Sequence, residues 1–144
     1  MRKLDQRGIA AFEFALVAAP LFILMFAIFD LGRYAITVQS LRALANAGAR
    51  ATMVGTTGNA CYTDAAITKT TPTCSGDPLP TDAAKQAVAP FLFSSDGTLT
   101  PTLSMTTGAS AVNVTASQPG FTMLTPIIWG TAFNAPSAST EIPF

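Results

Sequence analysis

Glu13 is the only ionisable side chain between Ile9 and Phe29, a run of 21 residues that is otherwise apolar or small. In a bilayer such a carboxylate costs free energy, about 3 kcal/mol near a helix centre, so its default reading is a functional one that requires a partner. A cut after Gly8 supplies one. It would free an amino group on Ile9, and Glu13 would become the fifth residue of the product. Residues four apart lie on one helical face, so ammonium and carboxylate can pair within one chain or between neighbouring chains. Cys61 and Cys74, the only cysteines, are the second candidates for chemistry. Elsewhere the search is negative. There is no histidine and hence no common general base, and no glycine pattern that cradles a nucleotide. A catalytic Cys lacks its usual His, and a metal site lacks both His and a second Cys pair. Asp64, Asp77, Asp82 and Asp96 are isolated and read as turn and cap chemistry. No catalytic, cofactor or metal site emerges, and the chain reads as a substrate of a processing enzyme rather than an enzyme.

The element that must carry Glu13 is a helix. As a helix the run from Ile9 to Phe29 extends about 31 Å at roughly 1.5 Å per residue, against about 30 Å of bilayer hydrocarbon. Twelve of its residues are Leu, Ile, Val or Phe. Each favours insertion by about 0.3 to 0.6 kcal/mol, enough to outweigh one carboxylate four residues into the run. Pro20 removes one helical hydrogen bond, to the Leu16 carbonyl, and permits a kink, which membrane helices tolerate when neighbours compensate. An ordinary secretory signal has a shorter apolar core followed by a small-residue cleavage site; this run is longer, and Met25 to Asp30 is bulky.

A short basic leader, Gly8, apolar Ile9, Glu13 five places on and an apolar helix form the pattern of type IV prepilins. More narrowly, Gly8 to Glu13 followed by Phe14, Ala15-Leu16-Val17 and Pro20 resembles the TadE-like family of pseudopilins, which accompany the Flp (tight adherence, Tad) pilus. The resemblance continues through Phe29-Asp30-Leu31-Gly32-Arg33 and Ala47-Gly48-Ala49-Arg50-Ala51 and covers about the first third of the chain. It implies cleavage between Gly8 and Ile9 by the prepilin peptidase, and an assembly role for Glu13 and Phe14. The implied partners are that peptidase, other Tad pilus subunits and assembly proteins, and the inner membrane.

The 144 residues leave room for one small domain beside the membrane segment. Formal charge is zero, with 8 basic and 8 acidic residues. Removing Met1 to Gly8 removes Arg2, Lys3, Arg7 and Asp5 and leaves a weakly acidic chain. No basic patch survives, which argues against a nucleic-acid partner. Arg2, Lys3 and Arg7 outweigh Arg33 and Arg42 with Asp30, so the positive-inside bias puts the N-terminus in the cytoplasm. Everything past Phe29 then lies beyond the inner membrane. There, two cysteines in one polar loop read as a Cys61–Cys74 disulfide.

Asp30 to Val54 continues the helix into water, with Leu31, Tyr34, Ala35, Val38, Leu41, Ala45, Ala49 and Thr52 recurring at steps of three and four. Arg42 falls at the edge of this stripe, and Ile36 and Leu44 lie off it. Ala45, Gly48 and Ala49 make the face small enough for close packing, on the chain's own sheet or on a neighbouring subunit. Gly55-Thr56-Thr57-Gly58-Asn59 ends the helix, and a loop follows to about Thr81. Thr81 to Ala89 reads as a short helix capped by Thr81 or Asp82 and limited by Pro90; Phe91, Leu92 and Phe93 supply core. From Thr98 the period changes to two. One run holds Leu99, Leu103 and Met105, with Pro101 weakening its start. A second holds Val112, Val114 and Ala116, a third begins at Phe121 and Met123, and a fourth holds Ala138, Ile142 and Phe144. Thr125 to Pro136, with Trp129, reads as a loop.

The expected fold is α+β: a long N-terminal helix, transmembrane in its first half, packed on a small antiparallel sheet of three or four strands. The expected organisation is a cytoplasmic leader over residues 1–8, a helix over 9–54 with its transmembrane part at 9–29, and a periplasmic α+β domain over 55–144. By resemblance the function is that of a TadE-like minor pilin or pseudopilin in Tad pilus assembly, retained in the inner membrane or incorporated in the pilus. The alternatives are a single-pass anchored periplasmic binding module unrelated to pili, and an anchored enzyme.

Overall fold

The computed structural model describes residues 6–54 and 61–144. The helix α1 runs unbroken from Gln6 to Val54, about 73 Å at roughly 1.5 Å per residue. Gly8 therefore sits inside the first helical turns, and residues 1–5 of the expected leader lie outside the described residues. The expected terminator Gly55 to Asn59 also lies outside them. After α1 come α2 (Cys61–Thr68), β1 (Ser75–Gly76), α3 (Asp82–Val88), a 3-10 turn (Pro90–Leu92), β2 (Thr102–Thr107), β3 (Ala111–Ser117), α4 (Pro126–Trp129) and β4 (Ser137–Pro143).

The four strands form one antiparallel sheet in the order β1-β2-β3-β4. Alternation sets which side chains point inward. Leu103 and Met105 from β2, Val112, Val114 and Ala116 from β3 and Ile142 from β4 are buried, and their neighbours are more exposed. Thr98 to Pro101 stays outside β2, since Pro101 has no amide hydrogen for a ladder.

The sheet has the expected number of strands but not the expected members. Phe121 and Met123 are buried, yet they belong to no strand. Their backbone closes a loop instead: Ala135 N donates to Phe121 O at 3.0 Å and Met123 N to Asn134 Oδ1 at 3.2 Å. The fourth strand is β1, from the segment expected to be loop. Thr107 Oγ1 accepts from Cys74 N at 2.7 Å and donates to Cys74 O at 3.2 Å, which fixes that backbone to the sheet edge. The same expected loop also contains α2. Its position comes from the Cys61 tether, from packing on α1 and from a Thr63 Oγ1 bond to Met53 O, all tertiary. At the C-terminus Phe144 lies beyond β4 and is exposed.

The second half of α1 covers the sheet. Leu41, Leu44, Ala45, Gly48, Ala49 and Thr52 are buried, while Leu31 and Ala35, expected on this face, are exposed. Leu44, off the expected stripe, is fully buried beside Ala45. The covering arc of a packed helix is wider than 100° and admits both Leu44 and Ala45. Gly48 is a point of close approach. A Cβ built there would lie 3.0 Å from Leu103 Cδ2, 3.0 Å from Val114 Cγ1 and 3.1 Å from Pro78 Cγ. Between its two expected uses, this small stretch serves the chain's own sheet.

α3 forms as expected, with Thr81 Oγ1 accepting from Ala84 N at 3.4 Å. Its Lys85 is buried and paired with Asp77 at 2.6 Å.

Candidate functional site

The N-terminal half of α1 contacts almost nothing. From Ile9 to Phe29 every residue is exposed except Ala18 and Ala27, which are half-buried. It is the one described helix long and apolar enough to cross a membrane, and only 6% of its most apolar window is buried, unlike the core helix of a soluble domain. Pro20 is accommodated within the helix, and Phe22 and Phe26 stack one turn apart at 6.5 Å. Ile9, Glu13 and Phe14 are all exposed. Among the described residues no cation pairs with Glu13; the ion pairs there involve Asp30, Asp77 and Asp82. Ile9 and Glu13 are one turn apart, so the spacing inferred from the sequence exists on the folded helix. Cys61 and Cys74 are bonded to each other with Cα atoms 5.6 Å apart. They lie at the far end of α1, about 60 Å along its axis from Glu13, so these residues make two separate features.

At the junction of the bare and covered halves lies Asp30, whose role the sequence reading missed. Its side chain is completely buried. Oδ1 accepts from Leu124 N at 3.0 Å; Oδ2 accepts from Thr125 N at 2.9 Å and from Thr125 Oγ1 at 2.7 Å. Arg33 Nη1 is 3.4 Å from Oδ1, one turn on. Burial pushes this carboxyl up, but the Leu124 and Thr125 hydrogen bonds and the Arg33 charge outweigh it and hold it below the ordinary carboxylate range. Around this anchor the Arg33 guanidinium lies over the Phe121 ring at 5.3 Å, Tyr34 meets the Phe133 ring edge-on at 5.1 Å, and Phe133 meets Trp129 at 5.5 Å. The result clasps the long β3–β4 connection to α1 at residues 30–34. The available signal was Asp30 itself, an acid placed directly after the apolar run with Arg33 one turn on; its Leu124 and Thr125 partners are more than 90 residues away and carry no local pattern.

Residues 8–50 match the family described as TadE-like protein. Over this stretch the chain is TadE-like. The match begins at Gly8 and takes in Glu13, the whole apolar run, Asp30, Arg33 and most of the sheet-covering face. The TadE-like family is one of pilus proteins that are not enzymes. No curated protein and no solved structure matches the chain. The TadE-like segment thus supplies the exposed helix and the Asp30 anchor, and the sheet, disulfide and β3–β4 connection lie outside the match. Among the described residues no group of three or more His, Cys, Asp or Glu side chains is placed to hold a metal.

Proposed function

We propose that this chain is a minor pilin or pseudopilin of a Tad-type pilus, made as a precursor and cut between Gly8 and Ile9 by the prepilin peptidase. The observation that carries this reading is the exposed apolar half of α1 with Glu13 one turn from Ile9, inside a TadE-like match that starts at Gly8. Residues 9–29 span the inner membrane with the N-terminus in the cytoplasm, and residues 55–144 form a periplasmic domain. The disulfide fits that compartment, because oxidising conditions beyond the inner membrane preserve such bonds. Gly8 lies in the first turns of α1, where amides lack helical partners and the chain frays. A peptidase can therefore unwind it at small cost, and glycine leaves room for close backbone approach.

Cleavage converts Ile9 to a new N-terminus carrying an ammonium group. Glu13 then lies one turn from the new ammonium, on the same face of the shortened helix. In lipid the pair is formed between neighbouring subunits, Glu13 of one against Ile9 of the next. The other partners are Tad pilus subunits and assembly proteins.

Glu13→Ala tests the pairing. The variant inserts at least as well as the parent, since the cost of a lipid-exposed carboxylate is gone, and it is still cut, since the scissile bond is intact. It loses crosslinking to, and co-purification with, other pilus subunits. Normal assembly of an inserted, cleaved Glu13→Ala protein would refute the pairing. A mature protein that begins at Met1 would refute the precursor reading itself.

A further inference from the structure

We propose that the β3–β4 connection is a second membrane contact, a foot formed by Leu124, Ile127 and Trp129 that rests in the headgroup layer of the periplasmic face. The inference depends on residues 9–29 spanning the membrane, and it assigns a lipid-binding role to a segment outside the TadE-like match.

The depth of this segment follows from Asp30. That residue is the first past the apolar run, so it sits where hydrocarbon gives way to headgroups. A bilayer is about 30 Å thick in its hydrocarbon and about 40–45 Å with headgroups, leaving about 5–7 Å of interface on each side. Leu124 N and Thr125 N are held 3.0 and 2.9 Å from the Asp30 carboxylate. Ile127 is two residues beyond Thr125, at most about 7 Å of extended chain. The tip therefore lies within about 10 Å of the Asp30 carboxylate, at the membrane end of the domain and at the level of the headgroups or their outer edge.

Its surface suits that layer. Ile127 is 99% exposed and Leu124 70%, which puts them with Phe91 at 80% and Ile67 at 74% among the most exposed large apolar side chains of the domain. Trp129 is half-buried with its Nε1 turned inside the protein, so it offers the tip apolar ring surface rather than a hydrogen bond. From Gly97 to Thr140 there is no charged side chain, so nothing in the connection opposes contact with lipid. The charges beside it are the buried Asp30 carboxylate, neutralised by its Leu124 and Thr125 donors and by Arg33, and the part-exposed Arg33 guanidinium, stacked on Phe121 at 5.3 Å at a level where it meets lipid phosphates. The tip is also held rigidly, by the Asp30 bonds, the Ala135–Phe121 bond and the Tyr34–Phe133–Trp129 ring contacts. A rigid apolar tip bound at the membrane end of the domain fits a bilayer in particular, because the spanning helix already brings that bilayer to it.

Trp129 is the only tryptophan, so its emission reports on the tip alone. The full chain is reconstituted in vesicles of phosphatidylcholine and phosphatidylglycerol, with part of the phosphatidylcholine brominated on the acyl carbons nearest the headgroup. The expected result is strong quenching of Trp129 by the brominated lipid and weak quenching by aqueous acrylamide. The double variant Leu124→Ser, Ile127→Glu, at two exposed positions that leave the core intact, loses most of the lipid quenching and shifts its emission to the red. Equal lipid quenching in parent and variant would overturn the proposal. So would an unquenched Trp129 in a protein that resists alkaline carbonate extraction, and shielding from acrylamide that grows with protein-to-lipid ratio would then place the tip against a second copy. Extraction of the parent by alkaline carbonate is a separate outcome: it would refute the spanning helix and the foot with it.

Discussion

Asp30 and Thr125 meet across 95 residues of chain, with Thr125 N 2.9 Å and Thr125 Oγ1 2.7 Å from the same carboxylate oxygen. Asp30→Ala strands three donors that now have an acceptor. The expected loss is about 3 kcal/mol, confined to the β3–β4 connection, since each buried unmet donor costs about 1–3 kcal/mol and the three relax partly toward water. Hydrogen exchange should show residues 118–136 opening while the amides of β2 and β3 stay protected. Asp30→Asn keeps one acceptor oxygen and should lose less.

The same carboxylate makes stability depend on pH in one direction. Its folded pKa is depressed, so its contribution is complete above the ordinary carboxylate value, about 3.9 in the unfolded chain. It is lost as pH falls through the lower folded value. Thermal melts of the parent should decline below about pH 4, and Asp30→Asn should flatten part of that decline. An Asp30→Asn profile parallel to the parent's would show that the anchor does not titrate as the geometry requires.

Two glycines of α1 should respond oppositely to substitution. A Cβ at Gly32 would meet nothing within 4 Å, whereas at Gly48 it would press on Leu103, Val114 and Pro78. Gly32→Ala should gain about 0.5–1 kcal/mol from helix propensity. Gly48→Val should cost about 1–3 kcal/mol or more through overpacking and lift the helix from the sheet. Urea denaturation of the two variants in detergent checks both signs.

Cys61→Ser with Cys74→Ser should cost roughly 3 kcal/mol by the chain-entropy model for a closed loop of this length. The loss should fall on α2 and β1, because the bond ties the start of α2 to the backbone that Thr107 holds at the sheet edge. Thiol labelling of periplasmic protein without reductant should find neither cysteine free.

Gly8→Val should leave the leader attached while membrane insertion persists, since the apolar run is unchanged. The readout is the size and N-terminal residue of the membrane-bound protein; a mature form starting at Ile9 would refute the proposed scissile bond.

Much of the fold was legible because its signals are local. Apolar length from Ile9 to Phe29, period-two alternation at Leu103–Met105 and at Val112–Ala116, and the Thr81 cap each depend on residues close in the chain. The Gly8, Ile9 and Glu13 pattern was legible for the same reason, being a spacing within a single helix. What only the tertiary structure decided depends on partners far apart in sequence. Ser75–Gly76 became a strand through Thr107 and the disulfide, although its own residues favour a turn. Phe121 and Met123 alternate like a strand, but their backbone closes on Asn134 and Ala135, and both are buried without a ladder, Phe121 against Arg33 and Tyr34 of α1. Asp30 read as one charge in a topology count. Its burial is stable only because Leu124 and Thr125 bring donors to it, and nothing near Asp30 in sequence encodes that meeting.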